Sequence, residues 1–189
     1  MSGVDRPSDK LQVTGWIHEL LKHLNHKYKT GEETEKEVEG SSILVYNDAV
    51  AALASGTMGK LQGAVVISGT GMIVLATQDG FQFHRTGGWG PLLGDQGSGY
   101  DVGQQILRAV TNQIDSIGPV TTLYQKVLDY LNLKKGEELI GWAYSDHSWK
   151  KFADLAPLAS ICAKDGDSVA DLILLNSAKS LSVCYLLLY

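Results

Sequence analysis

The sequence predicts an α/β protein whose strands lie in the first half and whose second half is helical. Three features point there. Short apolar runs, Ile43-Leu44-Val45-Tyr46, Ala64-Val65-Val66-Ile67 and Met72-Ile73-Val74-Leu75-Ala76, are bounded by Gly, Asn, Asp or Ser. The stretch from Gly87 to Gly99 holds six glycines in thirteen residues. From Tyr100 onward, apolar positions recur at helical spacing.

In chain order, Ser8 or Asp9 can cap a helix whose stripe is Leu11, Val13, Trp16, Ile17, Leu20, Leu21 and Leu24. The charged GEETEKEVEG within 29–42 is expected to be solvated. The run 43–46 reads as a buried strand closed by Asn47-Asp48, and Ala49 to Ala54 as a helix with Asn47 as cap and Gly56 as terminator. Residues 64–67 and 72–76 form a hairpin around Ser68-Gly69-Thr70-Gly71. Gln78-Asp79-Gly80 then turns the chain into a third strand over 81–85. Helices are expected over 100–112, 119–132, 147–164 and 168–187, broken at Gly118-Pro119 and at Lys164 to Asp167.

Composition excludes several classes. Sixteen Lys and Arg against 21 Asp and Glu give a net charge of −5, with no basic run longer than two, so nucleic acid is not expected as a partner. No window reaches the roughly 18 apolar residues of a membrane span, and the N-terminus lacks a signal-peptide core. Cys162 and Cys184 are too few for a disulfide framework or a four-ligand metal site, which fits a reducing, cytoplasmic setting. His18, His23 and His26 are poorly spaced for a metal, and no Ser-His-Asp set or HExxH occurs.

Three loops look chemical. Asn47-Asp48 ends a strand, where open α/β sheets bind ligands, although the pair could simply turn the chain and cap a helix. Ser68-Gly69-Thr70-Gly71 offers amides and hydroxyls suited to phosphate oxygens, although a ligand-free glycine turn has the same composition. It is neither a Walker A loop nor a Rossmann fingerprint. The 87–99 loop is entropically costly to order and carries Trp89 and Asp95. An apolar ring and a strong acceptor together suit a sugar, whose CH face stacks while its hydroxyls donate.

Taken in order, VYNDAVAALASGTMG, VVISGTGMIVLA and GGWGPLLGDQGSGYDVG resemble the N-acetylglucosamine kinases of the BadF/BadG/BcrA/BcrD ATPase group, within the actin-like, hexokinase and Hsp70 superfamily. The resemblance implies a partial actin-like (ribonuclease H-like) fold with a mixed sheet and glycine hairpins. Residues 1–60 would be the remainder of a first ATPase-type domain, and residues 61–189 a second. It implies ATP and Mg²⁺ as cofactors and a small amino sugar as substrate, phosphorylated at its 6-hydroxyl. Asp48 would be the catalytic base. Asn47, Gly88, Trp89 and Asp95 would bind sugar, and Ser68, Gly69, Thr70 and Gly71 the ATP phosphates.

The chain departs from the family at both ends. The family's first, Asp-Gly-Gly phosphate loop and its last, adenosine-binding strands have no counterpart here, so truncation at both ends is expected. Incomplete sheet edges invite association, and a homodimer is among the expected states. Two other functions stay open: a sugar-binding or regulatory protein without catalysis, and an iron–sulfur activator ATPase of the same superfamily. The activator needs suitably placed cysteines, and Cys162 and Cys184 lie far from the glycine loops in sequence.

Overall fold

A computed structural model describes residues 46–186, together with positions 8, 11–13, 15, 16 and 19. The chain divides into two compact units, Met1–Leu61 and Gln62–Tyr189.

In the first unit, the described positions between 8 and 19 are helical, as their spacing predicts. The rest of that helix, the charged stretch and positions 43–45 of the predicted strand lie outside the described residues. Helix α1 spans Asp48–Gly56. It forms because Asn47, in extended backbone, accepts from the Ala49 N–H at 2.8 Å, and because an alanine-rich run follows. Ala49, Val50 and Leu53 are its buried face. The Thr57 N–H closes it on the Leu53 carbonyl at 3.0 Å.

The second unit opens with three strands, β1 (Gly63–Ser68), β2 (Met72–Thr77) and β3 (His84–Gly87), paired antiparallel in the order β1-β2-β3. Ser68 faces Met72 across the hairpin, and Ile73 faces Gly87. Central β2 is buried along nearly its whole length, which its unbroken Met-Ile-Val-Leu-Ala run requires. The third strand begins at 84 and not at 81. The Asp79 carboxylate accepts from the Phe81 and Gln82 amides at 2.8 and 2.9 Å, and this side-chain turn uses donors that a strand would need.

Among the described residues, six helices follow the sheet: α2 (Gly99–Ile114), α3 (Leu123–Leu131), α4 (Glu138–Tyr144), α5 (Trp149–Ala153), α6 (Ala156–Lys164) and α7 (Ser168–Leu186). Their shared core includes Val102, Ile106 and Val110 of α2, Leu123 and Val127 of α3, Leu158 and Cys162 of α6, and Ile173 of α7. The predicted 147–164 helix is two helices. Pro157 stands in the first turn of α6, where its missing N–H costs nothing, and it could not continue a helix arriving from α5. The predicted 119–132 helix starts only at 123, because Asp167 captures the residues before it. Its Oδ2 accepts from both the Thr121 and Thr122 hydroxyls at 2.7 Å and from the Thr122 N–H at 2.5 Å. Its Oδ1 takes the Val169 and Ala170 amides at the start of α7. Helix α4 has no counterpart in the sequence prediction; Leu139 buries it in the core despite Gly141. Among the described residues no helix is long and apolar enough to cross a membrane.

Candidate functional site

The β1–β2 hairpin turns through Gly69, Thr70 and Gly71, and every carbonyl of the turn is engaged from within. The Gly71 carbonyl accepts from the Gly69 N–H at 2.9 Å. The carbonyls of Gly69 and Thr70 accept from the Gly99 and Tyr100 amides, at 2.7 and 3.3 Å, in the first turn of α2. This turn has given all three of its carbonyls to internal donors. Thr70 stands exposed at the tip. The Ser68 hydroxyl is committed elsewhere, donating to the Gly97 carbonyl at 2.8 Å.

The glycine-rich loop is organised by Asp95. The residue is only 4% exposed and has φ +64°, a left-handed conformation that Asp and Asn tolerate best among non-glycines. One carboxylate oxygen accepts from the Gly88 and Trp89 amides at 3.0 and 3.1 Å. The other lies against Gly71, where an added Cβ would come within 2.8 Å of it. Asp95 therefore joins the loop to the hairpin, and Gly71 must be glycine to let it approach.

Trp89 is 64% exposed, and the Arg85 guanidinium of β3 lies 5.2 Å from its ring centroid, within cation–π range. Gly90, at φ +83°, abuts the edge of Trp149, whose ring would lie 3.8 Å from an added Cβ. After the loop, Ser98 caps α2 by accepting from the Asp101 N–H at 3.2 Å. A cleft of about 440 Å³ runs beside the hairpin, bordered by Ser68, Gly69, Thr70, Gly97, Asp154 and Ser177 among others.

The structure thus brings Ser68, Gly69, Thr70, Gly71, Gly88, Trp89 and Asp95 into one cluster of the second unit. Asn47 and Asp48 belong to the first unit. There Asn47 caps α1, and Asp48 stands exposed in the first helical turn. Sequence inspection missed Ser177, Asp101 and Trp149. Ser177 is separated from Gly97 by 80 positions and carries no local signal. Asp101 was legible only as the third residue after the Ser98 cap. Among the described residues, no group of three or more His, Cys, Asp or Glu could hold a metal.

A glycine hairpin locked to a helix N-terminus, followed by a glycine loop tied back onto it, defines the class. The chain matches the BadF/BadG/BcrA/BcrD ATPase family over residues 17–184 and belongs to that family. The actin-like ATPase fold expected from the sequence stands with it. The particular proteins it resembles are sugar kinases. It is 47% identical over 183 residues to the N-acetyl-D-glucosamine kinase of Dictyostelium discoideum, covering 96% of this chain and 52% of that one. It is 35% identical over 181 residues to the N-acetylmuramic acid/N-acetylglucosamine kinase of Clostridium acetobutylicum, covering 95% and 53%. A crystal structure from Chromobacterium violaceum, provisionally assigned as an N-acetylglucosamine kinase, superposes with a TM-score of 0.68 at 26% identity, covering 76% of this chain and 49% of that one. The chain spans about half the length of the curated relatives it matches.

Proposed function

We propose that this protein phosphorylates N-acetyl-D-glucosamine at the 6-hydroxyl, with ATP as donor. The observation that carries the proposal is Asp95, one oxygen on the Gly88 and Trp89 amides and the other against Gly71. Through it a sugar-type loop and a phosphate-type turn are built as one piece, which is the alignment phosphoryl transfer requires. The relatives at 47% and 35% identity are both named as kinases of this sugar, which supports the same substrate class.

In this scheme Trp89 stacks on the sugar's CH face, while Gly88 and Asp95 shape the hydroxyl-binding edge. Asn47 contributes to sugar binding beside Asp48, which accepts the 6-hydroxyl proton. A carboxylate suits that task because phosphoryl transfer asks of the protein mainly alignment and a proton acceptor. Gly69, Thr70 and Gly71 hold the ATP phosphates. Ser68 takes part through its place in the turn, since its hydroxyl is engaged by Gly97. ATP supplies the transferred phosphoryl group. The described residues do not form a protein-held metal site, so Mg²⁺ would come with the nucleotide phosphates. A cytoplasmic location and a homodimer accompany the proposal; β1 and β3 are edge strands among the described residues, and such edges favour pairing.

ADP release by the purified chain tests it. Release should depend on N-acetylglucosamine, and Asp48→Asn should lower turnover by about 10²–10⁴-fold while leaving sugar affinity nearly unchanged. Sugar-independent release, or unchanged turnover in Asp48→Asn, would overturn the assignment in favour of a binding protein or an activator ATPase.

A further inference from the structure

Gly97 is held from three elements at once. Its N–H donates to Asp101 Oδ2 at 2.9 Å, in the first turn of α2. Its carbonyl accepts from the Ser68 hydroxyl at 2.8 Å, at the end of β1, and from the Ser177 hydroxyl at 3.1 Å, in the middle of α7. A carbonyl oxygen has two lone pairs, and both are used. The approach is close enough to demand glycine. At φ +85°, an added Cβ would lie 2.8 Å from Leu181 Cγ and 2.9 Å from the Ser177 backbone oxygen. Ser177 itself is buried, at 9% exposure.

We infer that Ser177 is a positioning residue that couples the sugar loop to the phosphate hairpin. The inference rests on the kinase reading above. Ser68 belongs to the hairpin and Gly97 to the loop, so their mutual bond sets the register between the two ligand-binding segments. Ser177 approaches the same oxygen from a third element. Any slide of the loop away from the hairpin would therefore strand a buried hydroxyl as well as break the Ser68 bond. With Ser177 in place, order imposed on the loop by a sugar is transmitted to the hairpin. Without it, Gly97 keeps only the Ser68 donor, and the anchor from α7 that holds the loop in register with the hairpin is lost.

The test is calorimetric titration of the full chain with Mg·ATP, in the absence and presence of saturating N-acetylglucosamine. In the unmodified chain the sugar should tighten nucleotide binding by about fivefold or more. In Ser177→Ala that ratio should fall to within about twofold of one, and Ser177→Thr, which keeps the hydroxyl, should restore it. Should Ser177→Ala not fold, Ser68→Ala removes the other donor to the same carbonyl and should show the same loss of coupling. A purely architectural serine would lower the melting temperature and leave the ratio intact, which would overturn the inference. An unmodified chain that binds both ligands independently would overturn it too, while leaving the kinase reading standing. A chain that fails to bind either one would defeat the kinase reading, and this inference with it.

Discussion

A nearly buried carboxylate must find donors, and the second unit solves this twice with opposite partners. Asp95 takes the backbone of its own loop, so its charge orders that loop. Asp167 takes two threonine hydroxyls and three amides from two separate segments, so its charge fastens the fold. Burial alone would push the Asp167 carboxyl up. The hydroxyls of Thr121 and Thr122, with the Ala170 and Thr122 amides, more than offset that and lower it from 3.8 to about 2. A carboxyl depressed in the folded state stabilises the protein above its unfolded value. That contribution is whole above about pH 4 and disappears as the pH falls through about 2, and a shift of this size corresponds to about 2 kcal/mol. Asp167→Asn should therefore destabilise the chain by about that amount at pH 7, with the deficit shrinking below pH 4. Urea denaturation at pH 7 and at pH 3 checks this, and an equal deficit at both would rule out the charge as the source.

At the scale of elements, the second unit depends on close backbone approach more than on long stripes. Helix α5 is five residues long and cannot stand alone, yet it crosses α2 at Gly99 and Gly103. An added Cβ on Gly103 would overlap the Phe152 carbonyl oxygen, and one on Gly99 would lie 3.3 Å from the Ala153 side chain. The aromatic group beside this crossing fixes α5 in place, with Phe152 5.3 Å from both the Tyr100 and Trp142 rings. Gly103→Ala should raise helix propensity in α2 by up to about 1 kcal/mol, but it should still destabilise the protein by about 2 kcal/mol or more, because backbone cannot yield as a side chain can. A melting temperature that rises in Gly103→Ala would refute the crossing. Such features also mark where elements stop being legible in sequence. The β1–β2 hairpin and α2 were readable because period, turn glycines and cap are local. The late start of β3 depends on one Asp79 side chain competing for amides that a strand would use. The split between α5 and α6 could have been read from Pro157. Helix α4 could not, because its stability comes from Leu139 entering a core assembled from distant helices.

For the whole molecule, the candidate residues divide between two units: Asp48 and Asn47 in Met1–Leu61, the hairpin and glycine loop in Gln62–Tyr189. The loops were visible in sequence because positive φ and close approach at Gly71, Gly87, Gly88, Gly90 and Gly97 need glycine where ordinary backbone does not. The network that ties them together was invisible, since Ser177 lies 80 positions from its acceptor. This division makes a definite forecast for ligand stabilisation. Trp89 and Asp95 both lie in the second unit, so a sugar that binds there should stabilise that unit directly. A ligand at about 100 times its dissociation constant adds about 2.7 kcal/mol to the stability of the state it binds. For a protein of this size each kcal/mol moves the midpoint by about 2–4 °C, so N-acetylglucosamine should raise the second unit's melting transition by about 5–10 °C. Removing the Trp89 ring deletes roughly 60 Å² of stacking face, or about 1.5 kcal/mol, which is about tenfold in affinity. At the same sugar concentration, Trp89→Ala should therefore show about half the shift, while its shift with Mg·ATP matches that of the unmodified chain. A sugar shift that survives Trp89→Ala undiminished would remove the ring from the site. Equal losses with sugar and nucleotide would mean that the substitution had loosened the whole loop instead.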